Sequence, residues 1–258
     1  MLAYAQRNRR LFLGFPIDVL SMKETLEIIQ RSIAGRHLLQ HVVVNVAKLM
    51  QMRDDAELAK SVSDSDLINI DGMGVVYGCR LLGINVPERV AGVELMEKIL
   101  AESEKQRWRP YILGAESAVL DEAVRRIRDR YPDLQIAGFH HGYFPQDQDE
   151  RVAKLIAASN ADCLFIAISS PRKENFMNQW RDVMCVPFVM GVGGSIDVIA
   201  GKVKRAPEWM QRVGLEWAFR LAQEPRRMWR RYLFTNASYA RAILIELLTR
   251  RFKLPRVN

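Results

Sequence analysis

Apolar positions along the chain switch repeatedly between two spacings. Short β-rich runs at 41–46, 66–70, 111–114, 134–139, 162–169 and 186–192 alternate with stretches of helical periodicity. Residues 11–19 read as one extended opening segment. Ser21 and Glu24 have the S-x-x-E form of a capping box and predict a helix to about 33. Further helices are predicted from 46 to about 62, after Asp71-Gly72 as far as Gly83, over 93–105, over 117–131 with Pro132 as the stop, from Pro145 to 159, and over 174–183. Strands separated by helices predict an α/β fold, a parallel sheet with helices on both faces. The unbroken apolar run 163–168 fits a strand buried on both sides. No internal repeat or low-complexity tract interrupts the pattern.

The pattern changes near Gly201. Two helical segments follow, about 213–223 and 226–251, punctuated by Pro225. The chain therefore divides into a core, 1–201, and an appendage, 202–258. Charge divides in the same place. Of the 258 residues, 38 are Lys or Arg and 30 are Asp or Glu, a net of +8. The appendage holds 14 basic and 4 acidic residues, +10, which leaves −2 for the core. Such a segment seeks phosphate on nucleic acid, anionic lipid or a phosphorylated ligand. Trp229, Tyr232, Leu233, Phe234, Tyr239, Ile243, Leu244 and Leu247 make its last helix amphipathic. That suits a helix lying in a bilayer interface, or one packed on the core or on a second subunit. With 49% hydrophobic and 26% charged residues, the composition excludes wholesale disorder. No apolar run reaches the ~18 residues of a spanning helix. Arg7, Arg9 and Arg10 precede no apolar core of a signal peptide. Three scattered cysteines fit a reducing cytoplasm, and Cys163 and Cys185, in apolar runs, are expected in the core.

In open α/β sheets, ligands bind beyond the carboxyl ends of the strands. Asn45, Asp71, Gly114, the loop 140–144, residues 170–174 and the turn 191–197 lie there. Asp71, before Gly72-Met73-Gly74, suits a general base or a helix cap. The turn Gly191-Val192-Gly193-Gly194-Ser195-Ile196-Asp197 can cradle a phosphate or simply turn the chain; with Ile196 in the third glycine position it is not a dinucleotide fingerprint. Asp64-Ser65-Asp66 precedes a strand, where turn residues are expected rather than metal ligands. His140 and His141 are adjacent, so a strand places them on opposite faces, and no third zinc ligand is near. Glu174 suits a helix N-terminus or a polar ligand. Arg220, Arg227 and Arg230 fall on one face if Pro225 only kinks a continuous helix; they form either a solvated face or a diphosphate clamp.

Taken in order, these segments resemble one family. Asp71-Gly72-Met73-Gly74-Val75-Val76 and Pro87-Glu88-Arg89-Val90-Ala91-Gly92 resemble a motif block of the WecG/TagA/CpsF bacterial glycosyltransferases. So do Gly191-Val192-Gly193-Gly194-Ser195-Ile196-Asp197 with Ala200-Gly201-Lys202-Val203-Lys204-Arg205-Ala206-Pro207, and Gly214-Leu215-Glu216-Trp217 with Arg220-Leu221-Ala222-Gln223-Glu224-Pro225-Arg226-Arg227. The resemblance runs from about 11 to about 235. It implies a Rossmann-like core and inverting, metal-independent transfer of a sugar from UDP to a polyprenyl-diphosphate-linked saccharide. The setting would be the inner face of the plasma membrane, against anionic lipids, in cell-surface polysaccharide synthesis. No cofactor is implied.

On this resemblance Asp71 is the catalytic base. Donor-binding positions are Asn45, Arg89, Gly114, Gly191, Gly193, Gly194, Asp197, Arg220, Arg227 and Arg230. Two departures bear on specificity. Val43 stands where the family often has Thr, and Lys173 stands for Gln in Pro171-Arg172-Lys173-Glu174. They keep UDP-glucose and a uronic acid analogue open beside UDP-N-acetylmannosamine. A homo-oligomer is possible, and nucleic acid is not an expected partner. The competing readings are a non-enzymatic basic protein binding membrane or nucleic acid, which leaves the glycine turn and Asp71 unexplained, and a nucleotide-dependent oxidoreductase.

Overall fold

The structure is a computed structural model that describes residues 7–253, without the side chains of 212, 227, 228, 231 and 250–253. It opens with a hairpin, β1 (Arg9–Phe12) and β2 (Phe15–Asp18), where 11–19 was expected as one extended segment. Leu13 and Gly14 both take positive φ, 50° and 88°, which closes a two-residue turn whose twist matches the strands. Asp18 ties the hairpin down. It pairs with Arg9 at 2.8 Å and accepts from the Ile68 N–H.

The core follows the predicted alternation. The elements are α1 (Met22–Ala34), β3 (Leu39–Val44), α2 (Val46–Asp54), α3 (Ala56–Ser63), β4 (Leu67–Ile70), α4 (Met73–Leu81) and α5 (Gly92–Gln106), then β5 (Pro110–Gly114), α6 (Ser117–Arg130) and β6 (Gly138–His140). After the turn Gln146–Gln148 come α7 (Asp149–Ala158), β7 (Cys163–Ala167), α8 (Arg172–Met184), β8 (Phe188–Gly191) and α9 (Ser195–Ile199). Ser21 and Glu24 form the capping box of α1. The single helix expected over 46–62 is split, because Asp55 leaves helical geometry and its carboxylate accepts from the Leu58 N–H to cap α3.

Six parallel strands lie in the order β4-β3-β8-β7-β5-β6. Alternate side chains go to opposite faces. Val42, Val44, Ile68, Ile70, Leu164 and Ile166 join one apolar cluster. Leu67, Ile112, Phe165, Phe188 and Met190 join the other. Cys163 is buried as expected, but Cys185 is exposed. It ends α8 in a left-handed conformation, φ 52°, outside the apolar run that suggested burial. His140 closes β6 and the strand pleat stops there, so His141 does not go to the opposite face. The two rings sit 4.6 Å apart, and His140 stands edge-on to Phe144.

Beyond Gly201 come α10 (Glu208–Arg212), α11 (Glu216–Gln223) and α12 (Pro225–Lys253). The path breaks at Glu224 (φ −131°, ψ 61°), so Arg220 belongs to a different helix from Arg227 and Arg230, where one kinked helix was expected. α12 divides its apolar residues. Ala242 and Ile243 are buried, and Tyr239 and Leu247 pack on the core. Trp229, Leu233, Phe234 and Leu244 remain exposed. Among the described residues no helix is long and apolar enough to cross a membrane.

Two glycines one turn apart on α4 make the seat for this contact. Gly74 faces Val46 of α2, and Gly78 faces Tyr239. The Tyr239 hydroxyl donates to the Gly74 carbonyl at 2.9 Å, and its ring lies against Phe12. A Cβ at Gly78 would fall 2.0 Å from the Tyr239 hydroxyl. Gly78→Ala should therefore displace Tyr239 and destabilise the chain by about 1–3 kcal/mol. Urea unfolding and hydrogen exchange check this. Exchange should quicken in α12, and unchanged protection there would contradict the seating of the helix on α4.

Candidate active site

Asp71 stands one residue past β4, where its N–H donates to the Val44 carbonyl. Strand parity gives it the direction of Leu67 and Asn69, toward the face that carries α5. There the Gly92 N–H at the α5 N-terminus bonds its carboxylate. Asp71 is half-buried and does not cap α4, whose first turn has no side-chain cap. The reading of Asp71 as the cap of the helix that follows it is thereby removed. Val43 and the Asp71 carboxylate both flank Gly92: a Cβ there would meet Val43 Cγ2 at 3.7 Å and Asp71 Oδ2 at 3.8 Å. Asn45 lies beside Gly72, and its side chain accepts from the Lys48 N–H to cap α2.

The electrostatics at Asp71 are divided. Burial, followed by the nearby Glu216 carboxylate, pushes its pKa up to about 6, while Arg89, Arg220 and the Gly92 N–H pull in the other direction. Arg89 donates to Glu216 at 2.9 Å and to Gln211 at 3.3 Å, and Arg220 donates to Glu216 at 3.4 Å. The helix 216–223 thus meets the core at Arg89, within electrostatic reach of Asp71. The only sequence signal for Glu216 is its place in the Gly214-Leu215-Glu216-Trp217 motif. A groove of about 700 Å³ adjoins this junction, lined among others by Met73, Arg89, Glu94, Arg205 and Gln211.

The glycine turn lies across the sheet top. Gly191 packs on the Lys173 stem, and a Cβ at Gly193 would sit 3.6 Å from Lys173 Nζ. Lys173 and Glu174 are buried at the start of α8 and meet Lys48 of α2. Lys48 Nζ donates to Glu174 Oε1 at 2.7 Å, and Lys173 Nζ approaches the same oxygen at 3.3 Å. Burial alone would push Glu174 up, but the two ammonium groups hold it at about 2. The first-turn carboxylate is therefore an internal counter-ion, not only a complement to the helix dipole. Lys48 escaped the sequence reading because nothing in its neighbourhood marks a lysine of α2 as buried.

Other expected positions lie apart from Asp71. Gly114 (φ +134°) ends β5, where a Cβ would fall 2.4 Å from the Ala167 backbone, so the position demands glycine for packing. Asp197 faces Lys202 at 4.0 Å and lies near Gly194. Arg230 covers its neighbour Trp229, and the Arg227 side chain lies outside the described residues. Asp64 and Asp66 do turn and strand work: Asp64 ends α3, and Asp66 accepts from the Gln40 N–H. Among the described residues no three His, Cys, Asp or Glu side chains gather as a metal site.

The carboxylate, the arginines and the glycine turn all lie at the carboxyl end of the parallel sheet, where open α/β sheets bind ligands. Comparison with known proteins gives the class. The model of the glycosyl transferase WecG/TagA/CpsF family matches residues 10–253, and the chain belongs to this family of glycosyltransferases. It is 38% identical over 192 residues, 74% of this chain and 73% of the relative, to the N-acetylglucosaminyldiphosphoundecaprenol N-acetyl-beta-D-mannosaminyltransferase of Bacillus subtilis. The enzyme of the same name from Bacillus spizizenii is 38% identical over 183 residues, 71% of this chain and 70% of that protein.

The two-sided electrostatics at Asp71 can be tested directly. Glu216→Gln removes the carboxylate that raises the Asp71 pKa and leaves both arginines. The acid limb of the pH–rate profile should move to lower pH, together with the Asp71 carboxyl titration followed by NMR. An unmoved titration would show that Glu216 does not act on Asp71.

Proposed function

We propose that the chain is an inverting glycosyltransferase that moves a hexose from a UDP-sugar to a polyprenyl-diphosphate-linked saccharide in cell-surface polysaccharide synthesis. The observation that carries this reading is the Asp71 carboxylate: half-buried, not capping the helix that follows it, raised in pKa, and faced by Arg89 and Arg220. The relatives' printed names support the lipid-linked acceptor.

In the proposed reaction an acceptor hydroxyl attacks the anomeric carbon from the face opposite the diphosphate. Asp71 takes the hydroxyl proton as the new C–O bond forms. The bond from the anomeric carbon to the diphosphate oxygen breaks, and its electron pair leaves with UDP. A base with a pKa near 6 is ionised at neutral pH and still able to accept a proton in the transition state. The negative charge that develops on the leaving group needs fixed donors aimed at it. The turn at 191–194 and Arg220, with Arg227 and Arg230, are proposed to supply them without a metal ion. Asn45, Arg89 and Asp197 are proposed to position the donor. Gly114 would act through the shape of the β5 tip.

The second proposal concerns place. Residues 202–258 form an appendage that completes the site and rests on the inner leaflet of the plasma membrane. Trp229, Leu233, Phe234 and Leu244 face outward from α12, and the appendage is strongly basic, the combination that binds anionic lipid surfaces. Because Arg220 and Glu216 belong to the appendage yet act on Asp71, its seating and the chemistry are coupled. Val43, Lys173 and Glu174 bear on donor choice, and UDP-glucose, UDP-N-acetylmannosamine and a uronic acid donor are the three to compare.

The test is a donor screen with a lipid-diphosphate-linked saccharide as acceptor and UDP release as the readout. One UDP-sugar should turn over. UDP should also raise the melting temperature, as a ligand of the folded state does. Asp71→Asn should keep UDP binding and lose about 10²- to 10⁴-fold in kcat. A kcat within a few-fold of the parent enzyme would remove Asp71 from the role of base. Activity should also fall as pH drops through about 6, where Asp71 protonates.

A further inference from the structure

The ion cluster under the glycine turn holds more positive than negative charge. Lys48, Glu174 and Lys173 are all buried, and a single carboxylate oxygen faces both ammonium groups. Burying charge is costly unless partners offset it, and here one anion serves two cations. The nearest further anion is Asp71, which acts on Lys173 from the tip of β4. Lys173 also sits where the turn has no side chains. Gly191 leaves room for its stem and Gly193 for its head. The Gly193 and Gly194 N–H groups bond to no backbone carbonyl among the described residues. Two amides without a backbone carbonyl partner and a buried ammonium that shares its one carboxylate oxygen with a second ammonium thus lie at the same glycine turn. Oxyanions fit such a nest; neutral hydroxyls leave the charge uncompensated.

We propose that the Lys173 ammonium, together with the Gly193 and Gly194 N–H groups, forms an oxyanion subsite for the sugar donor, and that Glu174 and Lys48 are positioning residues that hold it under the turn. The inference rests on the UDP-sugar reading above and deepens it. The oxyanion has two possible sources, the donor diphosphate and a carboxylate on the donor sugar. Glu174 anchors Lys173 without neutralising it, because its charge is shared with Lys48. Lysine serves this purpose better than arginine, since a compact ammonium on a flexible stem fits beneath a glycine turn where a planar guanidinium does not.

The subsite has a pH signature. The charged groups facing Lys173 are Glu174 beside it, Lys48 from α2 and Asp71 from the β4 tip. Burial, with Lys48 adding to it, lowers the Lys173 pKa to about 8, against the opposing pull of Glu174 and Asp71. The ammonium is present below that pH and lost above it, so oxyanion affinity is full at pH 7 and falls as pH rises past 8.

The experiment is calorimetric titration of the full chain with UDP, UDP-glucose and UDP-glucuronate between pH 7 and pH 9.5, for the parent protein, K173Q, K173M and E174Q. K173Q and K173M should weaken UDP about tenfold or more, the scale of a lost charged hydrogen bond, and flatten the pH dependence. E174Q should move the affinity loss to lower pH and raise the donor KM more than it lowers kcat; a merely structural change would lower the melting temperature and leave the profile in place. If the Lys173 variants keep UDP affinity but lose only the preference for UDP-glucuronate over UDP-glucose, the bound oxyanion is the sugar carboxylate. If they bind all three donors as the parent does, with the same pH dependence, the subsite is wrong while the UDP-sugar reading stands. If the parent protein binds none of the three, both fall.

Discussion

The half-buried carboxylate of Asp71 is the constraint around which the rest of this molecule is arranged. A carboxylate in that position is held charged only by opposite charge and hydrogen bonds nearby, and those come from three separate places. The Gly92 N–H belongs to α5, Arg89 to the loop before it, and Arg220 to the appendage. Glu216, from the same appendage helix as Arg220, opposes them. The basicity of Asp71 is raised first by burial and is then modulated by a helix more than 140 residues further along the chain. The β3, β4 and β8 tips bring Asn45, Asp71 and Gly191 to one end of the sheet because all six strands run parallel.

The fold was legible because its signals are strong and local. Capping at Ser21, the apolar run at 163–168 and the stop at Pro132 each report one element. The misreadings were also local. Residues 11–19 read as continuous because the Leu13-Gly14 turn needs only two residues, and its left-handed Leu13 carries no sequence flag. Residues 46–62 read as one helix because Asp55 looks like any polar position until its carboxylate is seen capping α3. Cys185 was expected inside from its apolar neighbours, but it falls at a helix end, where the chain has already turned outward.

The site was legible in outline and blank in its connections. Asp71, the 191–194 turn and Arg220 were marked by position beyond strands or by motif. Nothing local marks the Arg89–Glu216 pair, whose members are 127 positions apart, or the Lys48–Glu174 pair, 126 positions apart. Charge complementarity across such distances becomes visible only once the sheet order is known. The arginine trio shows the reverse: spacing suggested one kinked helix, and a single non-helical residue, Glu224, divides it in two.

The Tyr239 contact changes what it means to cut this chain. One face of α12 fills the space beside Phe12 and α2 and completes an apolar cluster of the core. Shortening the protein before that helix would bare Phe12 and leave the Gly74 carbonyl without its tyrosine partner. The last helix is thus part of the cover of the core, and a trimmed protein that loses activity has to be shown folded before the loss is ascribed to missing arginines.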